Sequence, residues 1–332
     1  MMAVATLTLK TKSRGTALST AFIFPGQGSQ TVGMGKALAD NFREARAVFE
    51  EVDAALSQAL SRMIFEGPEA ELTLTANAQP ALMAVSLAAV RVLENEEGLD
   101  LSRAAKFVAG HSLGEYSALC AAGALSIVDA ARLLRLRGAA MQAAVPVGAG
   151  AMAALLGVEL GAAQEIAAAA ASATGAVCQV ANDNGGGQVV LSGAKGAVEK
   201  AMEIAKERGV KRAVLLPVSA PFHCALMQPA AEAMKDALAD AAIARPCAPV
   251  VANVTAAPVS DPEEIRRLLV EQVTGSVRWR ESVAFMAGAG VTKFVECGAG
   301  KVLAGLLKRI APGVSGVSVG APDDIAAYRA FV

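Results

Sequence analysis

The segment KFVAGHSLGEYSALCAA at 106–122 decides the fold. Residues 106–109 read as a short buried strand, GHSLG at 110–114 as a sharp turn, and 115–122 as a helix. A serine between two glycines on a strand-to-helix turn is held with its hydroxyl exposed above the sheet edge. Ser112 is therefore the candidate nucleophile. The N–H of Leu113, at the start of the helix, points toward an incoming carbonyl oxygen. The competing reading makes Ser112 a turn residue or a helix cap.

Working outward, 21–24 is a second short strand, stopped by Pro25 and Gly26. Helical periodicity runs through 45–60, 80–93 and 126–144, and near the end a strand at 293–296 turns through CGAG into a helix at 301–310. Strands alternating with helices predict an α/β fold with a mostly parallel sheet covered on both faces. The middle differs. Strands at 151–158, 177–181, 188–192 and 213–218 with helices at 160–171 and 194–208 give the order β-α-β-β-α-β, the ferredoxin-like pattern. Residues 148–218 are thus expected to form a small α+β domain inserted in a larger unit of 21–147 and 219–332. Residues 1–20, with three basic residues and no acid, read as a flexible N-terminal extension. A cleft between the two units is the natural place for a site.

Composition narrows the function. Hydrophobic residues are 54% of the 332 and charged residues 18%, enough to fill a sizeable core. Thirty basic against 31 acidic residues leave a net charge of −1, so no global field draws the chain to nucleic acid or to a membrane surface. Aromatic residues, at 4%, are too few for base-stacking platforms. The uncharged stretch around 143–158 is broken by Pro146, Gly148 and Gly150, and is too short to span a bilayer. Five scattered cysteines without a CxxC pair fit reduced thiols in a cytoplasmic setting, and their spacing predicts no metal site.

A serine of ordinary acidity needs a base, and the chain has two histidines. His111 directly precedes Ser112 on the turn, which directs its ring away from the hydroxyl. His223 is then the candidate base by elimination, against the reading of a solvent-facing or structurally bonded histidine. Arg137 falls on an apolar helix stripe between Leu133 and Met141, four residues to either side. A guanidinium there requires a buried anion, either a protein carboxylate or a substrate. Both remain open at the level of sequence.

Six blocks then carry a resemblance. PGQGSQ at 25–30, GHSLGEYSAL at 110–119, LRGAAMQ at 136–142, HCALM at 223–227, VRW at 277–279 and GAGKVL at 298–303 resemble the signatures of malonyl-CoA:acyl-carrier-protein transacylases, in order and across 21–310. The resemblance implies an α/β-hydrolase-like large domain with an inserted ferredoxin-like domain. It implies transfer of malonyl from malonyl-CoA to the phosphopantetheine thiol of acyl carrier protein, for fatty-acid synthesis, by a monomer without cofactor. It places the acyl group on Ser112, makes His223 the base, and pairs Arg137 with the malonyl carboxylate. The N–H groups of Gln27 and Leu113 become the oxyanion hole. The main-chain carbonyl of Gln272 orients His223, while Asn182 and Asn184 lie on a loop lining the cleft. Phe222, before the histidine, resembles the pattern of malonyl-selective domains. Gly185-Gly186-Gly187 stands where the family usually has a proline, which puts the shape of that loop in question. A serine thioesterase using the same turn is the alternative.

Overall fold

A computed structural model describes residues 18–332. Ten strands build two sheets. In chain order they are β1 (Thr20–Phe24), β2 (Ala105–Gly110), β3 (Gly150–Leu156), β4 (Cys178–Gly185), β5 (Gln188–Ala194), β6 (Arg212–Leu215), β7 (Val250–Val251), β8 (Pro258–Val259), β9 (Lys293–Cys297) and β10 (Ser315–Val319). The expectation for an N-terminal extension falls largely outside the described residues, and Thr20 already belongs to β1.

The larger sheet has the order β10-β9-β1-β2-β7-β8. It is parallel from β10 to β7, and only the short β8 runs antiparallel. Its central strands are apolar on both sides: Ala21, Phe22, Ile23 and Phe24 are all fully buried, as strands covered on both faces must be. Phe22 and Phe24 pack with the helices Arg43–Leu56, Thr75–Glu96 and Ile127–Ala143. Ala21 and Ile23 face the other layer, around Trp279 and Phe294. The smaller sheet, β4-β5-β3-β6, is wholly antiparallel and carries the helices Leu160–Thr174 and Lys195–Glu207. Its β-α-β-β-α-β order is the ferredoxin-like arrangement, inserted between β2 and β7.

Several boundaries differ from the sequence reading. The helix expected over 45–60 ends at Leu56, because Ser57 turns left-handed at φ 49, and a second helix, Leu60–Glu66, follows. Strand β6 stops at Leu215 rather than at 218, since Pro217 has no N–H for the ladder. The helix expected from Pro80 begins at Thr75 and takes Pro80 inside it. That helix is also the one segment among the described residues long and apolar enough to cross a bilayer, with a mean hydropathy of 1.3, and 89% of that window is buried inside the protein.

Candidate active site

The turn after β2 has the shape the sequence predicts, and the reason is steric. A Cβ on Gly110 would lie 1.9 Å from the carbonyl oxygen of Gly114, and one on Gly114 would lie 2.3 Å from that of Phe24. Between them Ser112 takes φ 54, in the left-handed region. The helix Gly114–Ala121 begins directly afterwards.

Ser112 Oγ lies 2.8 Å from His223 Nε2. His223 Nδ1 lies 2.9 Å from the carbonyl oxygen of Gln272 and 3.1 Å from that of Gly275. Carbonyl oxygens only accept, so Nδ1 carries the proton and Nε2 presents its lone pair to the serine hydroxyl. Burial, and then the Arg137 charge, pull His223 from 6.5 down to about 3. At neutral pH it is an uncharged base. His111 points elsewhere, with Nε2 2.9 Å from Asn184 Oδ1. Of the two histidines, only His223 reaches the Ser112 hydroxyl.

Arg137 is 1% exposed. It donates to Gln79 Oε1 at 2.8 Å, to Gln272 Oε1 at 2.8 Å and to Ser112 Oγ at 3.2 Å, while its Nε finds no partner among the described residues. These acceptors are all neutral. The alternative of a structural salt bridge therefore has no support among the described residues, and a buried cation lines the cleft beside Ser112. Glu115, 2% exposed, is a nearby carboxylate, but it is held by the Asn253 N–H at 2.9 Å and by Gln272 Nε2 at 2.8 Å. Burial raises its carboxyl to about 7 against those bonds and the Arg137 charge.

The cleft around these groups has a volume of about 790 Å³, and Gln27, Leu113, Asn182, Asn184 and Phe222 line it with Ser112, Arg137 and His223. The main-chain N–H groups of Gln27 and Leu113 donate to no protein acceptor among the described residues. Asn182 and Asn184 sit at the end of β4, not on a loop: Asn182 pairs with Val190 and makes a bridge to Val277. Gly186 and Gly187, at φ 61 and 74, form the tight hairpin turn that follows. With Gly185 also at φ 77, all three glycines lie in the left-handed region, which a proline ring cannot adopt.

The sequence pattern of the acyl transferase domain family matches residues 21–318. The chain belongs to that family. It is similar to the malonyl CoA-acyl carrier protein transacylase of Bacillus subtilis, 46% identical over 305 residues that cover 92% of this chain and 94% of that one. In three dimensions this acyltransferase is similar to the acyl-carrier-protein-S-malonyltransferase of Bartonella henselae, with a TM-score of 0.91, 58% identity, and coverage of 95% and 99%. It is also similar to a malonyl-transacylase solved in complex with its type II polyketide synthase acyl-carrier protein, at a TM-score of 0.89 and 41% identity over 93% and 98%. The two-domain acyltransferase fold expected from the sequence is the one observed.

The sequence reading missed Glu115 and Asn253 and the side chain of Gln272. Asn253 accepts the Ser112 N–H at 2.7 Å, and Gln272 Nε2 donates to the Ser112 carbonyl at 3.0 Å. The acid at 115 was visible in the turn sequence; no local signal marks the other two.

Proposed function

We propose that this chain moves a malonyl group from malonyl-CoA to the phosphopantetheine thiol of an acyl carrier protein, through a malonyl ester of Ser112, as a supply step for fatty-acid synthesis. The observation that carries this reading is a buried guanidinium without a carboxylate partner, 3.2 Å from a serine hydroxyl that is itself 2.8 Å from a neutral histidine. The serine and histidine supply acyl transfer, and Arg137 supplies the preference for an acyl group that ends in a carboxylate.

In the first half-reaction His223 Nε2 takes the Ser112 proton as Oγ attacks the thioester carbonyl. The oxygen that gains charge is met by the N–H groups of Gln27 and Leu113, and the C–S bond then breaks. The imidazolium returns the proton to the departing CoA thiolate. In the second half-reaction His223 takes the proton of the carrier thiol, whose sulfur attacks the Ser112 ester, and the serine leaves with that proton. The scheme is ping-pong and needs no metal or redox group. Asn182, Asn184 and Phe222 shape the acyl pocket, and the carbonyl of Gln272 holds the His223 tautomer. Residues 148–218 act as one inserted unit against 21–147 and 219–332. The working form is a cytoplasmic monomer, free of membrane and nucleic acid.

Intact-mass measurement after mixing with a panel of acyl-CoAs tests this reading. A malonyl adduct is expected on the wild-type chain, lost in Ser112→Ala and discharged by holo carrier protein. Discharge by water at the same rate as by the carrier would replace transfer by thioester hydrolysis.

A further inference from the structure

Asn253 follows the two-residue strand β7, 141 residues after the nucleophile in sequence, and is 1% exposed. All of its polar groups are engaged. Its side-chain Oδ1 accepts the Ser112 N–H at 2.7 Å, and its Nδ2 donates to the Gly110 carbonyl at 2.7 Å. Its main-chain N–H goes to Glu115 Oε2 at 2.9 Å, and its carbonyl accepts from Arg278 N–H at 3.0 Å. The β2–β7 ladder ends at the pair Ala109–Val251. Beyond it, one amide side chain makes the contacts that the next ladder residues would have made, where β2 bends into the turn. An amide that gives and accepts in this way has one sensible orientation, because flipping it would set donor against donor.

Two consequences follow. First, Ser112 at φ 54 is strained, and such a conformation persists only where the surroundings fix it. Asn253 bonds to that strained residue itself and to Gly110, two residues before it. Second, the Ser112 N–H is taken, so it cannot serve a reacting oxygen. The next N–H, that of Leu113, has no protein acceptor among the described residues and lines the cleft. We infer that Asn253 is a positioning residue, tied down by Glu115, which fixes the twist of the turn so that the Leu113 N–H and the Ser112 hydroxyl face the same reacting carbonyl. It touches no substrate and acts through Ser112. This rests on the function proposed above, since both half-reactions would use that donor.

The test is a single-turnover malonylation of Asn253→Ala, followed by intact mass, with melting temperature and circular dichroism of the same sample. The burst amplitude should stay near one malonyl per chain while its rate falls about 100-fold, the size of effect that a misplaced group produces. The KM for malonyl-CoA should stay within about threefold, and discharge to the carrier thiol should slow in parallel. Asn253→Asp, equal in volume, serves if the alanine variant fails to fold. It keeps an acceptor for Ser112 but sets an oxygen against the Gly110 carbonyl, so its rate should fall too. A wild-type rate in either folded variant overturns the proposal. So does a lowered amplitude with an unchanged rate, which is the mark of a role in folding alone. A wild-type chain that takes up no malonyl at all would instead sink the function on which the proposal stands.

Discussion

Arg137 and Gln272 meet at 2.8 Å, guanidinium to side-chain carbonyl, and the same glutamine holds His223 through its main-chain carbonyl at 2.9 Å. One residue thus joins the group proposed to select the acyl chain to the group proposed to activate the serine. Arg137→Ala should change which acyl group is used more than whether any is used. Removing one partner of a buried charged pair costs on the order of 2–5 kcal/mol, or roughly 30-fold to several-thousand-fold, and malonyl-CoA should lose that much. Acetyl-CoA has no carboxylate and should lose little. The quantity to measure is the malonyl-to-acetyl ratio of kcat/KM in both proteins, and a constant ratio would remove Arg137 from selection.

His223→Ala should slow both half-reactions by about 10²–10⁴-fold, the usual contribution of a positioned base. In the wild type, the imidazole with its pKa lowered to about 3 should show no titration in NMR spectra taken between pH 8 and 5. A histidine depressed from 6.5 binds its proton more readily when unfolded, so its contribution to stability is complete above 6.5 and is lost as pH falls toward 3. An ordinary titration near 6.5 would contradict the burial of this ring.

Glu115 works in the opposite direction. Its carboxyl, raised from 4.5 to about 7, binds a proton more readily in the folded state. Its contribution is therefore complete below 4.5 and declines as pH rises through 7. Glu115→Gln keeps an acceptor for Asn253 and Gln272 without the ionisation. Melting temperature plotted against pH should lose that decline in the variant, and parallel curves for the two proteins would refute the assignment.

The helix Val302–Ile310 places Val302, Leu303 and Leu306 on the cleft and carries exposed Lys308 and Arg309 at its far end. Carrier docking should draw on that end and on the exposed Lys211 and Arg212 of the smaller domain, because a net charge of −1 provides no overall steering. Charge reversal at these positions should raise the KM for the carrier protein while leaving that for malonyl-CoA nearly unchanged, most clearly at low salt. An unaltered salt dependence would move docking elsewhere.

The glycine-bounded turn at Ser112 and the β-α-β-β-α-β insert were legible because each is local: glycines at fixed offsets in one case, alternating periodicities in the other. Asn182 and Asn184 were placed on a loop by the resemblance, yet both lie within β4, where Asn182 pairs with Val190 and its neighbour Asp183 with Val189 across a bulged ladder. Arg137 could be picked out by its apolar stripe, but the choice between carboxylate and open cleft needed the third dimension. Asn253 lay wholly out of reach. Its partners, Gly110, Ser112 and Glu115, are far away in sequence, and an asparagine after a two-residue strand looks like any turn residue.

The left-handed backbone at Ser112 bears on how this chain would behave in a mutant library. Glycine relaxes such a conformation, whose strain is on the order of 1–3 kcal/mol, and deletes the hydroxyl in the same step. Ser112→Gly should therefore express and survive heating at least as well as Ser112→Ala. A screen that rewards yield or heat resistance would keep such a variant although it transfers nothing. Directed evolution of this scaffold has to score thioester turnover in every round, because robustness and chemistry pull this position toward different residues.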